Sequence, residues 1–543
     1  MADIEVPVVI VGGSLVGLSA AMLLGQHGVR SLAVEYHRGT AIHPRAAHAT
    51  QRTMEIFRAV GLEERIRKRS AEQFVQNGGV VAVATLVGGV TRQFIADLNA
   101  GIRDVSPCER VFLSQSALEP LLSERALELG ASLRFATEVI GAEEGANGVT
   151  AELRARDTGE TSRVHAQYLI AADGAHSRIR QRLGIPMRGH PTFSKSITIY
   201  FRADLRPLLS EQSWAVVYVD NAQLRGFFRF EKPFDRAFLV VNTAGDAMHP
   251  VTDVSSALSP ERALEYVHTA LGTRDIPVAI ENVMHWEAAA EVAGRLQTSR
   301  VFIAGDAAHV MPPTGGFGGN TGVQDAHNLA WKLARVLDGR ASAALLSTYE
   351  DERRPVATLS VEQAYTRYVL RTDPSLGKEQ VQPLVGDLDI ELGYRYRSAA
   401  IIPEPDDNGS VHLNPRESRG LPGTRAPHVW LTRHGKTIST LDLYDTHFVL
   451  LAGAKAHEWY DLGVAAAAVR ERALKVYRPG REGLEDPGGQ LGPAHGVEPD
   501  GCVLVRPDGF VAWRAATAQQ ASAQTLGEVL ARVSFEPIRT GAG

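Results

Sequence analysis

Val8-Val9-Ile10-Val11-Gly12-Gly13-Ser14-Leu15-Val16-Gly17-Leu18-Ser19-Ala20-Ala21 decides the fold. The four apolar residues suit a strand buried on both faces. Three glycines within six positions then turn the chain, and Leu18 to His27 follows at helical spacing, with Gly28 as a stop. Ser31-Leu32-Ala33-Val34-Glu35 reads as a second strand. The unit is therefore β-α-β, with parallel strands and a right-handed crossover. Its turn is a variant of Gly-x-Gly-x-x-Gly, in which Gly12 and Gly17 keep their places and Ser14 stands for the middle glycine. Glycine is required where backbone approaches a pyrophosphate, whose charge faces the helix N-terminus. Glu35 stands where an acid grips a ribose hydroxyl. The hexapeptide alone also fits an ordinary βα turn; strand, helix and acid in register point to a dinucleotide.

Outward from this unit, two more apolar strands end on acids. Tyr168–Ala172 precedes Asp173-Gly174-Ala175-His176-Ser177-Arg178-Ile179-Arg180, and Val301–Ala304 precedes Gly305-Asp306. Asp173 also suits a simple helix N-cap. The second run continues through His309, Pro312-Pro313 and Thr314-Gly315-Gly316-Phe317-Gly318-Gly319-Asn320. It reads as a loop of small residues ahead of a helix at Val323–Leu337, exposing backbone N–H groups to an anionic ring edge. Between these motifs, Ser196–Phe201, Trp214–Val219, Gly226–Phe230 and Ala237–Val241 are β-branched and aromatic, as in a mostly antiparallel sheet.

The chain has 543 residues, 44% hydrophobic and 22% charged, with a net charge of −5. That length allows about three domains. Cys108 and Cys502 are the only cysteines, which excludes a disulfide framework. Mild acidity without long basic runs argues against a nucleic-acid partner. No window approaches the roughly 18 apolar residues of a membrane span, and the N-terminus lacks the pattern of a signal peptide. A cytoplasmic location is expected. Residues 374–423 are rich in Pro and Gly and read as a linker. Beyond it, a strand at His447–Leu451, a helix at Ala465–Val476, a hairpin about Pro507-Asp508-Gly509 and a helix at Ala521–Val533 form a last domain.

The ordered triplet of motifs resembles the FAD-dependent aromatic hydroxylases of the para-hydroxybenzoate hydroxylase type. The resemblance runs to about residue 370, and His43-Pro44-Arg45-Ala46 and Arg52-Thr53-Met54-Glu55 are similar to the polyketide-tailoring members, which serve antibiotic biosynthesis. It implies an α/β fold with a Rossmann-like FAD-binding domain (1–180 and 284–373) interleaved with a mainly antiparallel substrate-binding domain (181–283). A thioredoxin-like domain (424–543) follows the linker; Cys502 stands alone there, so no Cys-x-x-Cys centre exists. In this resemblance Gly12, Ser14, Gly17 and Glu35 hold the ADP part of FAD, Arg45 the pyrophosphate and Gln115 the ribityl chain. Asp306, after Gly305, binds ribityl hydroxyls. Pro313, Gly316, Gly318, Gly319 and Asn320 line the isoalloxazine, and Asp173 and Arg180 serve flavin binding and NAD(P)H access.

The implied reaction is reduction of FAD by NAD(P)H, then O2 chemistry through a flavin C4a-hydroperoxide that hydroxylates an aromatic, polycyclic polyketide-type substrate. Only one dinucleotide fingerprint is present, which disfavours a two-nucleotide reductase. No Gly-x-Ser-x-Gly elbow or His-Glu-x-x-His metal site occurs, and no Trp-x-Trp pair suggests a halogenase. Arg225 and His48 are the candidates for fixing a phenol, and Trp214, Tyr218, Phe227, Phe228 and Phe230 offer aromatic surface, of which alternation turns only half inward. Baeyer–Villiger oxygen insertion and a non-catalytic nucleotide-binding protein remain as alternatives. A homodimer is compatible with the sequence but not specified by it.

Overall fold

The computed structural model describes residues 4–42, 48–243, 254, 258–470 and 473–537. The opening strand Ile4–Val11 lies between Ser31–Val34 and Thr161–Ala171, parallel to both. Ser132–Arg134 extends this sheet on one side. On the other, the C-terminal half of Thr161–Ala171 pairs in parallel with Val301–Ile303, and its N-terminal half with the antiparallel hairpin of Thr137–Gly145 and Gly148–Ala155. All three motif strands thus lie side by side and end at one edge.

Among the described residues the second sheet has eight strands. In spatial order they are His309–Val310, Ala279–Ala293, Met187–Arg202, Arg236–Asn242, Arg225–Glu231, Trp214–Asp220, Gly79–Val83 and Val90–Ile95. Pairing is antiparallel except where Trp214–Asp220 meets Gly79–Val83. Two strands therefore come from within residues 1–180, and Ala279–Ala293 crosses position 283. The Gly305–Pro313 motif connects the sheets: Val301–Ile303 belongs to the first, and His309–Val310 pairs with Glu291 and Val292 in the second.

Several boundaries differ from expectation. The first helix starts at Leu15. The helix expected at Val323 starts at Phe317, so Gly318, Gly319 and Asn320 form its first turn rather than a loop. The stretch 374–423 is not a bare connector. Tyr394, Tyr396 and Ile401 are buried with Val356 and Phe510, because its sparse aromatics fill the seam between domains. The helix expected at Ala465–Val476 spans His457–Val469, and Leu474–Tyr477 is a strand parallel to Phe448–Ala452. The alternation Leu474-Lys475-Val476-Tyr477 fits a pleated position better than a continued helix.

With the antiparallel strands Cys502–Val505 and Val511–Ala515 and the helix Ala523–Ser534, the last domain is consistent with the thioredoxin-like expectation. Both cysteines are buried and unbonded. No helix among the described residues is long and apolar enough to cross a membrane.

The last domain also carries an acid sensitivity. Burial pulls His428 and His495 down to about 4, against an ordinary 6.5. Well above pH 6.5 both are neutral folded or unfolded and contribute nothing. Between pH 6.5 and 4 the unfolded chain binds protons that the folded chain refuses, so stability falls as pH falls. Tryptophan-fluorescence melts of the intact protein are expected to show a lower midpoint at pH 5 than at pH 7. An unchanged midpoint would contradict the assignment.

Candidate active site

Gly12 has φ +108°, and a Cβ there would lie 2.2 Å from the Ala172 carbonyl oxygen. A Cβ on Gly17 would lie 1.8 Å from the Gly12 carbonyl oxygen. Only glycine lets the strand turn this tightly into its helix. Glu35 is buried at the next strand end and accepts from the Gly13 N–H at 2.7 Å. Ser14 caps the helix without a side-chain cap bond. Its hydroxyl instead donates to Glu119 Oε1 at 2.5 Å and accepts from Gln115 Nε2 at 2.7 Å. Glu119, fully buried, was not legible as a site residue. Its spacing, one helical turn beyond Gln115, was the one available hint; in the structure its other oxygen accepts from the Ala41 N–H at 2.6 Å.

The other motifs close on this loop. Val16 packs between Gly305 and Gly322, where added Cβ atoms would meet its Cγ2 at 2.8 and 2.5 Å. Arg180 is buried and donates to the carbonyl oxygens of Ala307 at 2.9 Å and Ala175 at 3.0 Å, so it ties two motifs together. Asp173 Oδ2 accepts from the Ile179 N–H at 3.2 Å. Its Oδ1 is buried without a partner among the described residues. Asp306 is exposed at the turn. Arg45 lies outside the described residues.

A support that sequence reading missed stands behind the Gly305 turn. Asp325 accepts from the Gly305 N–H at 3.0 Å, from Arg353 Nε at 2.7 Å and lies 2.7 Å from His309 Nε2. Burial opposes ionisation of Asp325, but Arg353 and His309 outweigh it and hold the carboxyl below its usual range. Arg353 also donates to the Thr321 carbonyl at 3.0 Å, locking the start of the Phe317 helix. Sequence spacing alone does not pair these groups.

At that helix start, Pro313 is exposed, and Gly315 and Gly316 have φ +89° and +67°. A Cβ on Gly316 would sit 1.7 Å from His48 Cε1. Asn320 Oδ1 accepts from the Thr50 N–H at 2.9 Å and Thr53 Oγ1 at 2.6 Å, while its Nδ2 donates to the Gly316 carbonyl at 2.9 Å. Helix N–H groups at Gly318 and Gly319 lack intrahelical acceptors. Their partial positive charge suits an electron-rich ring edge.

His48 Nε2 is buried with no partner among the described residues. Burial, then Arg110 and Arg229, keep the ring neutral well below its ordinary range. Arg229 stacks 4.8 Å from the Phe74 ring and 4.6 Å from Phe112. Arg225 lies at the other end of the same strand, donating to Asp220 Oδ1 and the Thr372 carbonyl, both at 3.1 Å. The cations beside His48 are thus Arg110 and Arg229, not Arg225.

The expected aromatic surface divides. Phe228 and Phe230 belong to the core beneath the helix Pro260–Leu271, and Trp214 packs there too. The other face carries a row: Phe94 to Tyr218 at 5.7 Å, Tyr218 to Phe227 at 6.0 Å, Phe227 to Phe238 at 6.5 Å and Phe238 to Tyr200 at 5.8 Å.

Glycines at a dinucleotide turn, a buried acid on the next strand, an orphaned Asp173 oxygen and a free helix start meet at the seam of two sheets. These residues fit FAD, and the arrangement is that of a dinucleotide-binding flavoprotein. Known proteins agree. Residues 5–364 match the family described as FAD binding domain, and residues 419–537 the one described as aromatic-ring hydroxylase, C-terminal. The chain is 50% identical to 4-methyl-5-nitrocatechol 5-monooxygenase of Burkholderia sp over 94% of each chain. It is 40% identical to tetracenomycin B2 monooxygenase-dioxygenase of Streptomyces olivaceus over 98% of this chain and 99% of that one. The crystal structure of aklavinone-11 hydroxylase with FAD and aklavinone superposes with a TM-score of 0.91 at 36% identity, over 98% of this chain and 99% of that one. The chain belongs to the FAD-dependent aromatic-ring hydroxylases. It is a flavin monooxygenase, with NAD(P)H the co-substrate typical of the family.

Proposed function

We propose that the chain hydroxylates a polycyclic phenol of polyketide type. The observation that carries this reading is the row of five rings from Phe94 to Tyr200, which is longer than a single-ring substrate needs. Such a row favours offset or edge-to-face contact with a fused aromatic system. FAD supplies the redox and oxygen chemistry; the protein must orient the ring, exclude water and steer a proton. Neutral His48 can accept a hydrogen bond from a phenol O–H, and Arg110 and Arg229 favour the phenolate. Arg225 is better suited to holding the sheet against the Thr348–Arg371 helix.

A second reading is a single-ring catechol, supported by the nitrocatechol monooxygenase relative. The test is NAD(P)H oxidation by the flavin-loaded protein with polycyclic phenols and with catechols, followed by mass analysis. A hydroxylated polycyclic product supports the proposal. Turnover of catechols alone replaces it with the second reading, and a lactone indicates oxygen insertion.

Asp306→Ala is expected to weaken FAD binding about tenfold or more, the worth of one charge-assisted hydrogen bond. Fluorescence titration of apoprotein with FAD measures it, and an unchanged affinity would remove Asp306 from the ribityl site.

A further inference from the structure

We propose that the hairpin turn of the C-terminal domain, at Asp508, positions the start of the helix Gln51–Ala59 and, through Asn320, the flavin seat at the Phe317 helix. The hairpin does not end in solvent. Arg52 Nη2 donates to the Asp508 carbonyl oxygen at 2.7 Å, and Arg52 Nη1 to Glu55 Oε2 at 3.0 Å. The Asp508 carboxylate is held in turn by Trp331 Nε1 at 3.1 Å and Arg506 Nε at 3.0 Å. Arg52, Glu55, Arg506 and Asp508 are all buried.

From Arg52 the path is short. Thr50 and Thr53 stand either side of Arg52 in sequence, and both donate to Asn320 Oδ1, at 2.9 and 2.6 Å. Asn320 Nδ2 reaches the Gly316 carbonyl, beside the ring of His48. One arginine with a fixed fork of donors therefore sets the height of Thr50 and Thr53 against the helix start. A C-terminal domain without a Cys-x-x-Cys centre acquires a role that needs no redox chemistry. Arg52 and Asp508 are positioning residues, since neither touches the flavin seat itself and the side-chain link from their helix runs through Thr50 and Thr53 to Asn320. The proposal rests on that seat being where FAD binds.

A control is built into the same helix. Arg58, near its other end, bridges to Asp442 of the C-terminal domain at 2.7 Å but has no link to Asn320. The experiment compares Arg52→Met, Arg52→Lys and Arg58→Met in the full chain, reading FAD affinity, the visible absorption of bound flavin and thermal stability. Arg52→Met is expected to weaken FAD about tenfold and shift the flavin bands, with partial rescue in Arg52→Lys. Arg58→Met is expected to lower thermal stability with affinity and bands unchanged.

Asn320→Ala combined with Arg52→Met is expected to be no weaker than the worse single variant, because both act on one path. Additive losses, or an Arg52 variant that loses only thermal stability, would overturn the proposal. If Arg52→Met does not fold, Arg52→Lys carries both comparisons. Wild-type protein that takes up no FAD would instead refute the flavin site itself.

Discussion

Gly17→Ala is expected to give protein that binds FAD at least about a hundredfold more weakly than wild type. The added Cβ would stand 1.8 Å from the Gly12 carbonyl oxygen, so one of the two must move. Gly12 cannot. Its N–H donates to the Val34 carbonyl at 2.8 Å, and its other side is closed by Ala172. The helix must therefore withdraw from the strand end, taking its first N–H groups away from the pyrophosphate. Loss of two charge-assisted hydrogen bonds, each worth about 1.5–3 kcal/mol, accounts for the hundredfold.

Gly28→Ala is the control. Its φ of +78° makes alanine mildly unfavourable, but nothing lies within 4 Å of the added Cβ. That variant is expected to retain flavin at a cost of about 1 kcal/mol. Titration of apoprotein followed by absorbance decides the case. Wild-type affinity in Gly17→Ala would mean that the turn does not approach the cofactor.

Glu352→Gln is expected to destabilise the protein by about 3–5 kcal/mol, the cost of leaving a buried charge uncompensated. Glu352 is fully buried and takes Lys332 Nζ at 2.8 Å, with Arg506 at 2.5 and 2.9 Å. Asn328 and Ser398 complete its shell, each at 2.6 Å. The two cations pull its carboxyl far below the usual range, against burial. With Gln, Lys332 would lose its only ion-paired carboxylate among the described residues, and Arg506 would keep Asp508 alone.

Replacing Glu352 and Lys332 together by Leu is expected to recover much of the loss, since Arg506 keeps Asp508 and no charge is stranded. Because the chain contains several cores, the first unfolding step is the quantity to compare. A Glu352→Gln midpoint equal to wild type would refute the argument.

Much of the flavin core was readable because it is local. Val8–Val11 buries both faces of a strand, and the steric demand at Gly12 and Gly17 arises within six residues. The order of the three motifs then carried the resemblance to a family. The helix start at Phe317 was misplaced because glycines argue for a loop, whereas here a fixed turn at Gly316 and the Asn320 bonds to Thr50 and Thr53 hold them helical. The Leu474–Tyr477 strand was missed because an alanine-rich run beside it favours helix locally and masks its short alternation, which pairing with Phe448–Ala452 resolves as a strand. Halving the aromatic surface was foreseen, but which half is taken into the core depended on which side of the sheet the helix Pro260–Leu271 covers.

By itself the sequence determined the strands, the glycine turns and the acids at strand ends, all consequences of side-chain period and steric contact between near neighbours. Only the tertiary structure decided that Asn320 meets Thr50, that Arg353 backs Asp325 behind Gly305, and that Arg52 reaches Asp508 across two domains. Those partners lie far apart along the chain, and any of many arginines and carboxylates could pair by type. The choice is made when the domains close. Water is then excluded, and an unpaired polar group becomes too costly to keep.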